Sequence, residues 1–334
     1  MKTIHIIWAG LIGQERMKAV GKLKARGHPI RIGMVFDTYR PDLAWLSTQY
    51  GFAVASDVGQ LYSQPADLIV IACPHDVATE HACRALQAGG AVLVEKPLGR
   101  NWEETRQISA AAEPCGRVFL GLNYRFMRGI AALVADWKAA RFGEPISLRL
   151  ELGHGGSPND GQSWKLDPIR CGGGALLDPG IHLLDLVQVM TGGQVEVQAA
   201  RAWRGFWKTG IEEDVHLLLH SGAVTVTIAV SVVRWRSHFE IFALGTNGYG
   251  QLTGRGRSYG IQQYRRGPRW GWQQAHDQAS SEELVLSDNC DDSFADELAA
   301  CLVLAPPPEL GPASLQDGLA VMDLYRRARQ RLTD

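Results

Sequence analysis

Residues 4–13 read IHIIWAGLIG, an apolar run that ends in a turn with two glycines. A short apolar run followed by an amphipathic segment predicts a buried strand and a helix, here over residues 4–8 and 14–26. The alternation continues, with strands predicted over residues 30–36, 66–73, 91–94 and 117–122 and helices over residues 41–50, 77–88 and 102–112. Continuous apolar strands that alternate with helices are typical of a doubly wound parallel sheet. We therefore expect an α/β domain over residues 1–122.

The second part of the chain, residues 123–334, has a different pattern. Helices predicted over residues 130–140 and 175–191 precede runs with period-two patterning, such as residues 224–230. Ser221-Gly222 and Asn247-Gly248 stand where hairpin turns are expected, and two late helices are predicted over residues 293–304 and 315–331. The pattern predicts an α+β domain, with a mixed, mainly antiparallel open sheet and helices on one face.

The composition is that of a soluble globular protein. The chain has 334 residues, of which 46% are hydrophobic and 21% charged, and its formal net charge of −1 favours neither nucleic acid nor an anionic membrane as a partner. No apolar run approaches the length of about 18 residues that spans a membrane, and we interpret the apolar start as a strand. Without metal-ligand spacing among the cysteines, we expect free thiols, a cytoplasmic protein and no metal site. The six cysteines are Cys73, Cys83, Cys115, Cys171, Cys290 and Cys301.

The glycine turn carries part of a dinucleotide-binding fingerprint. In a GxGxxG turn between a strand and a helix, the glycines let a pyrophosphate approach the helix N-terminus. Gly10 and Gly13 match the second and third glycines, and Trp8 replaces the first. Asp37 follows at about the distance, roughly 20 residues, at which a carboxylate binds the ribose hydroxyls of NAD and repels the 2′-phosphate of NADP. Arg40 could instead hold that phosphate, and Asp37 could be a solvated loop acid.

Two further segments carry groups suited to acid–base chemistry. Lys96 follows the strand predicted over residues 91–94, and a lysine at the carboxyl end of a parallel strand can reach a ligand crevice; alternatively, it is a surface lysine paired with Glu95. The triple glycine of residues 172–174 leads into Asp178 and His182, which a continuous helix would place on one face. A carboxylate beside an imidazole is a general acid/base pair. Because Pro179 follows Asp178, Asp178 could instead cap a helix that begins at the proline, or the helix could be kinked there.

With these residues in place, the chain resembles the Gfo/Idh/MocA family of glucose–fructose oxidoreductase and inositol dehydrogenase relatives. The resemblance covers nearly the whole chain and depends on short segments in family order. These are the glycine turn with Asp37, residues 67–75, Glu-Lys-Pro at residues 95–97, Asn-Tyr-Arg-Phe at residues 123–126, and the triple glycine with Asp178, His182 and Asp185.

The resemblance implies a Rossmann domain, a second domain whose sheet forms oligomer contacts, and an active site between the two. Family enzymes transfer a hydride between a nicotinamide and a carbinol or keto carbon of a sugar, a sugar derivative or a cyclitol. Lys96 would polarise the reacting hydroxyl, His182 would exchange its proton, and Asp178 would orient the substrate or the imidazole. The implied cofactor contacts are Gly10, Leu11, Ile12, Gly13, Asp37, Arg40, Cys73, Pro74, His75, Glu95, Lys96 and Asn123. The implied substrate contacts are Tyr124, Arg125, Trp164, Lys165, Asp178 and His182.

Several alternatives remain open from the sequence. Some relatives use NAD to cleave glycosidic bonds without net redox change, and a non-catalytic sugar or NAD sensor is a third possibility. Trp164 and Lys165 either line the substrate site or anchor a loop. His75 is either a cofactor contact or a loop residue, whereas for His154 a loop role is favoured over a substrate contact. Residues 254–272 place five arginines among aromatic residues, which suits a solvated edge or oligomer interface, a diphosphate pocket or, least of all, single-stranded nucleic acid. We expect a homo-oligomer, a dimer or tetramer, with a sugar, sugar-nucleotide or cyclitol substrate.

Overall fold

The computed structural model describes residues 1–38, 40–113, 117–158, 163–270, 282–307 and 309–333, so Cys115 and Trp272 lie outside the described residues. The chain forms two compact units. The first comprises Met1–Phe126, Ile169–Gly172 and Asp292–Met322, and the second comprises Met127–Pro168, Gly173–Asp291 and Asp323–Asp334. The sequence predicts one boundary after residue 122, whereas the first unit also takes in segments from later in the chain.

The first unit is built on a seven-stranded sheet in the order β15-β6-β5-β4-β1-β2-β3. Six strands are parallel and β15 is antiparallel to β6. The strands are β1 (Lys2–Ile7), β2 (Ile30–Phe36), β3 (Ala53–Val54), β4 (Leu68–Ile71), β5 (Val92–Glu95), β6 (Val118–Gly121) and β15 (Ala313–Ser314). The predicted doubly wound sheet is confirmed. Its order reverses between β1 and β4, and ligands of such sheets bind outside the carboxyl ends of the strands at that switch point.

Helices connect the strands of the first unit. They are α1 (Leu11–Ala25), α2 (Leu43–Tyr50), α3 (Gly59–Ser63), α4 (His75–Gln87), α5 (Trp102–Ala112) and α9 (Ser293–Cys301). The helix α9 packs on α1 and places Ala295 and Leu298 in the apolar core that also contains Ile4, Ile6 and Leu23. The core of the first unit is therefore completed by residues from the far end of the chain.

The second unit is built on a nine-stranded sheet in the order β14-β13-β12-β11-β7-β10-β9-β8-β16. The pairs β7–β10 and β8–β16 are parallel and the other pairs antiparallel, which confirms the predicted mixed, mainly antiparallel sheet. Its strands are β7 (Pro145–Gly153), β8 (Glu196–Trp203), β9 (Asp214–Ser221), β10 (Val224–Ser231), β11 (His238–Gly245), β12 (Gly248–Thr253), β13 (Gln262–Pro268), β14 (Glu283–Asp288) and β16 (Leu332–Thr333). Both predicted hairpin turns join antiparallel neighbours, β9–β10 and β11–β12.

Two helices, α6 (Arg128–Lys138) and α8 (Ile181–Thr191), pack against this sheet. A short helix, α7 (Pro168–Cys171), precedes the triple glycine, and α10 (Leu315–Gln330) has residues in both units. The helix predicted over residues 175–191 begins only at Ile181, so that part of the prediction is wrong. The residue before a proline is biased away from the helical region, and Asp178 and Pro179 lie in a turn that precedes α8. None of the helices in the described part of the chain combines the length and the hydropathy of a membrane span.

Candidate active site

The turn after β1 brings strand and helix into close contact. A side chain at Gly13 would place its Cβ 2.1 Å from the carbonyl oxygen of Trp8, which is far closer than carbon and oxygen approach without a bond. Trp8 itself has φ = 77°, a left-handed conformation that favours glycine. The third fingerprint glycine is therefore required by packing. The first position keeps the conformation of a glycine although a tryptophan occupies it.

Gly10 differs from Gly13, because a Cβ at Gly10 would meet no protein atom within 4 Å in the described structure. Gly10 is the N-cap residue of α1, where the helix dipole and unpaired backbone N–H groups attract an anion. Contacts within the protein therefore do not require a glycine at position 10. A phosphate that approaches the N-terminus of α1 would require one, because a side chain would occupy its space. This is the arrangement that a dinucleotide pyrophosphate needs.

Asp37 is attached to the same turn. Its Oδ2 accepts a hydrogen bond of 2.8 Å from the backbone N–H of Ala9, which fixes the carboxylate beside the start of α1. Asp37 is therefore bonded to the turn, although its side chain is still partly exposed just after β2. The neighbouring Arg40 donates to both carboxylate oxygens of Asp42, with the Nε contact at 2.7 Å. Hydrogen bonding to Asp42 outweighs partial burial and raises the pKa of Arg40.

The Trp8 indole packs within the first unit. Its ring centroid lies 6.3 Å from that of Phe36 in an edge-to-face arrangement and 5.8 Å from that of His81. The His81 Nδ1 is hydrogen-bonded to the Tyr62 hydroxyl at 2.6 Å, and burial lowers the pKa of His81. The aromatic contacts hold the side chain that replaces the first glycine.

The turn after β4 lies next to the β1 turn at the switch point. Pro74 is the N-cap residue of α4, and His75 is its first residue. The His75 ring is buried, and its Nδ1 lies 3.0 Å from the carbonyl oxygen of Cys171. Cys73 is buried as well, and burial raises the pKa of its thiol. These three predicted cofactor contacts therefore stand at the carboxyl end of the strand beside β1.

Glu95, at the end of β5, is bound to a residue that sequence reasoning missed. The guanidinium of Arg16, on α1, lies 2.6 Å from Glu95 Oε1 and 2.6 Å from Glu297 Oε2, on α9. The side chains of Arg16 and Glu297 are both 0% exposed. Burial raises the pKa of Glu297 to about 7 despite the nearby Arg16. Burial opposes the charge on Arg16, but the two carboxylates outweigh it and raise its pKa.

Lys96 follows Glu95 directly and is half-buried, with the buried Pro97 after it in a cis peptide bond. Because Glu95 pairs with Arg16, this carboxylate has a partner other than the lysine beside it. A side chain at Gly121, on the neighbouring strand β6, would place its Cβ 2.6 Å from a carboxylate oxygen of Glu95. The end of β5, from which Lys96 extends, is therefore held from α1, from α9 and from β6.

Asn123, Tyr124 and Arg125 form a buried 3-10 turn after β6. The Asn123 amide donates a hydrogen bond of 2.8 Å to the hydroxyl of Ser293, and Arg125 lies 3.2 Å from Asp317. These contacts join Asn123, a predicted cofactor contact, and Arg125, a predicted substrate contact, to segments from the C-terminal part of the first unit.

In the second unit, Gly174, the last of the three glycines, is explained by its contact with Glu212. A Cβ at Gly174 would lie 1.9 Å from the Glu212 carbonyl oxygen. The Gly174 N–H donates to Glu212 Oε1 at 2.9 Å, and the Ala175 N–H donates to the Glu212 carbonyl at 2.7 Å. This close approach anchors the segment that carries Asp178 and His182.

Asp178 pairs with Lys165, another predicted site residue. Lys165 Nζ lies 2.8 Å from Asp178 Oδ2, and the Asp178 side chain is only 7% exposed. The Lys165 ammonium also lies 5.9 Å from the centroid of the Trp164 ring. The capping alternative for Asp178 is wrong, because the N-cap residue of α8 is Gly180, which follows Pro179.

His182 and Asp185 lie in the first two turns of α8, three residues apart and therefore on neighbouring positions of one face. Both are buried, with His182 5% exposed and Asp185 0% exposed. Trp164, Lys165 and Asp178 are thus joined by contacts in the second unit, with Asp178 before the helix and His182 at the start of α8.

The arginines of residues 254–270 are largely paired. Arg266 lies 2.7 Å from Asp136 and 2.8 Å from Glu283, and Arg265 lies 3.1 Å from Glu282. Arg269 donates to the backbone carbonyls of residues 245 and 246. Because nearby carboxylates already neutralise much of the positive charge of these arginines, the segment suits a sheet edge better than a diphosphate pocket or a nucleic-acid surface. Among the residues with described positions, no group of three His, Cys, Asp or Glu could hold a metal ion.

Comparison with known proteins agrees with this geometry. Residues 2–124 match the family model for the oxidoreductase family with an NAD-binding Rossmann fold, and residues 131–250 match the Gfo/Idh/MocA C-terminal domain. A similar curated protein is 1,5-anhydro-D-fructose reductase from Ensifer adhaerens, 30% identical over 215 residues. The match covers 62% of this chain and 63% of that protein, so the chain spans less than two thirds of this relative.

Two solved structures share the fold over nearly the whole chain. A 3-ketoreductase from Actinomadura kijaniata, in complex with NADP and TDP-benzene, has a TM-score of 0.80 at 16% identity and covers 100% of this chain and 98% of its own. The WlbA dehydrogenase from Bordetella pertussis, in complex with NADH and UDP-GlcNAcA, has a TM-score of 0.75 at 19% identity, with 99% and 97% covered. With both of its family models matched in order and both sheets built as the resemblance implies, the chain belongs to the Gfo/Idh/MocA oxidoreductase family.

Proposed function

We propose that the protein is an NAD-dependent oxidoreductase that acts on a carbinol or keto carbon of a sugar, a sugar derivative or a cyclitol. The observation that carries the proposal is the turn after β1, where Gly10 leaves space at the N-terminus of α1 and Asp37 is bonded to the Ala9 N–H. That combination suits a pyrophosphate and an adenosine ribose on one turn.

The proposed cofactor is NAD rather than NADP. The Asp37 carboxylate would accept hydrogen bonds from ribose hydroxyls and repel a 2′-phosphate. Arg40, which could offset that repulsion, has its guanidinium on Asp42. Among structures with this fold, the Bordetella enzyme was solved with NADH and the Actinomadura enzyme with NADP.

When bound, NAD supplies the hydride acceptor or, in its reduced form, the hydride donor. The residues that would hold it are those of the turns after β1 and β4, together with Asp37, Glu95, Lys96 and Asn123. Lys96 would donate a hydrogen bond to the reacting oxygen, and its positive charge would stabilise the negative charge that develops there. His182 would take the hydroxyl proton during oxidation or return it during reduction.

Asp178 has a positioning part in this proposal. Its pairing with Lys165 holds the carboxylate in one place and offsets the cost of keeping it charged at 7% exposure. The carboxylate would orient a substrate hydroxyl or the His182 imidazole. Trp164, beside Lys165, offers an aromatic face of the kind on which the apolar face of a sugar packs.

We also propose that the protein forms a homo-oligomer through the open face of the nine-stranded sheet. Trp203 on β8 is 51% exposed and Leu218 on β9 is 38% exposed, and apolar side chains of this size favour association. Sedimentation of the purified chain tests this, since a monomer at micromolar concentration would contradict it.

The activity is tested by a screen of sugars, cyclitols and sugar nucleotides with NAD and with NADP. The readout is the absorbance of the reduced nicotinamide. Turnover with NAD that is lost in Lys96→Ala and His182→Asn supports the proposal. Release of sugar without accumulation of reduced nicotinamide would instead indicate a glycosidase, and NAD or sugar binding without any turnover would indicate a sensor.

A further inference from the structure

The second unit contains a cavity that the roles assigned above do not use. It has a volume of about 560 Å³ and lies among the loops that follow β7, β8, β10 and β12. Small-molecule sites typically have volumes of roughly 300–1,000 Å³. The lining residues with side chains suited to binding are His154, Phe206, Trp235, Arg236, Ser237 and Ser258.

Two aromatic rings from different loops border this cavity. Trp235 is 85% exposed and Phe206 is 61% exposed, which is far more than rings of this size usually show. The Arg236 guanidinium lies 4.5 Å from the centroid of the Trp235 ring. Exposed aromatic faces with an arginine beside them are the arrangement on which a nucleobase stacks.

The charge of the cavity favours an anion. Its described lining contains Arg234, Arg236 and His154 and no carboxylate. Glu151 offsets Arg234 at 2.8 Å, so Arg236 supplies most of the positive charge. The hydroxyls of Ser237 and Ser258, hydrogen-bonded to each other at 3.0 Å, add polar groups from two loops. Arginine and hydroxyl groups together suit phosphate oxygens.

The floor of the cavity is formed by two backbone segments that are hydrogen-bonded to each other. The His154 N–H donates to the Ser231 carbonyl and the Arg234 N–H donates to the His154 carbonyl, both at 3.0 Å, which extends the contact between β7 and β10. A Cβ at Gly155 would lie 2.3 Å from the Arg234 carbonyl oxygen, so the two loops approach as closely as backbones can. A preformed floor reduces the entropy lost when a ligand binds.

Two adjacent glutamates connect this cavity to the Asp178 segment. Glu212 accepts the N–H groups of Gly174 and Ala175. The next residue, Glu213, is fully buried and accepts hydrogen bonds from the N–H groups of the loop after β8: Gly205 at 3.1 Å, Phe206 at 2.8 Å and Trp207 at 2.8 Å. The loop with Phe206 and the segment with Asp178 are therefore anchored by two neighbouring residues that lie just before β9.

We propose that the cavity binds the nucleoside diphosphate part of the substrate, so that the substrate is a nucleotide-linked sugar. The base stacks on the Trp235 and Phe206 rings, the phosphates contact Arg236 and the two serines, and the sugar extends toward Asp178. The inference rests on the proposed function, since it assigns Asp178 to the reacting sugar. It selects one class of substrate among the sugars, sugar derivatives and cyclitols left open above.

The test is titration calorimetry of the full chain with uridine diphosphate and thymidine diphosphate. Saturating NAD is present, so that neither probe binds at the turn after β1. Removing a stacking ring costs about tenfold or more in affinity, since base–aromatic stacking contributes in that range. We expect Trp235→Ala and Arg236→Ala each to weaken binding about tenfold or more. The matched control is Trp270→Ala, because Trp270 is also an exposed tryptophan, with Arg269 5.8 Å from its ring centroid, and does not line the cavity.

The proposal is overturned if neither probe binds at millimolar concentration, or if both cavity variants bind as the wild type does. It is also overturned if Trp235→Ala changes only the oligomeric state, because the cavity is then an interface between copies. Its failure is distinguishable from failure of the proposed function. If the protein turns over a free sugar with NAD and the KM is unchanged in Trp235→Ala, the proposed oxidoreductase function stands and the proposed role of the cavity is refuted. If the cavity binds the diphosphates but the protein shows no NAD-linked turnover of any sugar, nucleotide binding stands and the proposed oxidoreductase function is refuted.

Discussion

The replacement Glu297→Gln should change how the stability of the first unit depends on pH. Glu297 and Glu95 both pair with Arg16. When both carboxylates are ionised, the group buries two negative charges against one positive charge. Glu297 is 0% exposed and the Glu95 side chain is 11% exposed, so the proton is taken up by Glu297. Burial accordingly raises the pKa of Glu297 from its ordinary 4.5 to about 7.

The sign follows from which state holds the proton. Between about pH 5 and pH 7 the folded chain keeps a proton that the unfolded chain has released, so the free energy of unfolding falls as the pH rises through this window. The full difference between the two pKa values corresponds to an upper limit of about 3 kcal/mol. Glutamine keeps the shape and carries no charge, so the variant should lack this loss and gain relative stability above pH 7.

Urea unfolding at pH 5, 6, 7 and 8, followed by circular dichroism, measures the effect. Subtracting the free energy of unfolding of the wild type from that of the variant at each pH removes the contribution of groups that titrate in both proteins. We expect a difference that grows in favour of Glu297→Gln by about 1–3 kcal/mol from pH 5 to pH 8. Glu283→Gln, at an exposed ion pair with Arg266, is the control and should give a difference independent of pH. Parallel curves for Glu297→Gln, or a variant that becomes less stable at high pH, would refute the reasoning.

Four further substitutions test the turns and the lysine. Lys96→Ala should lower turnover by about 100-fold or more, the usual cost of removing a group that stabilises developing charge, and should lower turnover far more than NAD affinity. Unchanged turnover contradicts the role. Asp37→Ala should weaken the binding of NAD more than that of NADP in calorimetry, because the carboxylate favours only NAD. Equal losses of affinity for the two cofactors would contradict the preference. Gly10→Ala should leave the Tm unchanged, since its Cβ meets no described protein atom, but should weaken the binding of NAD. Gly13→Ala should lower the Tm, because its Cβ would lie 2.1 Å from the Trp8 carbonyl oxygen. Equal Tm losses at the two glycines would contradict this reading of the turn.

Local pattern was enough to predict the parallel sheet and the turn after β1. The apolar strands of residues 4–8 and 30–36 are recognisable because buried parallel strands are apolar on both faces. Asp37 could be placed beside Gly10 because both follow neighbouring strands. These inferences need only short segments and the rule that ligands bind at carboxyl ends.

The remaining features depend on contacts between distant residues. Arg16 looks like an ordinary polar position of an amphipathic helix until Glu297 faces it. Pro179 is compatible with the first turn of a helix and equally with a break before one. The contact of Gly174 with Glu212 anchors the turn that holds Asp178 before α8, and no local pattern encodes that contact.

The late return of α9 to the first unit has a consequence for biosynthesis. Asn123 and its partner Ser293 are 170 residues apart, so the ribosome makes everything between them before the two can meet. At roughly 5–20 residues per second, that delay is on the order of 10–30 s. During this time α1 exposes the apolar surface that α9 covers, and Arg16 lacks Glu297. We therefore expect a stalled or truncated chain that lacks α9 to aggregate rather than fold as an independent nucleotide-binding domain.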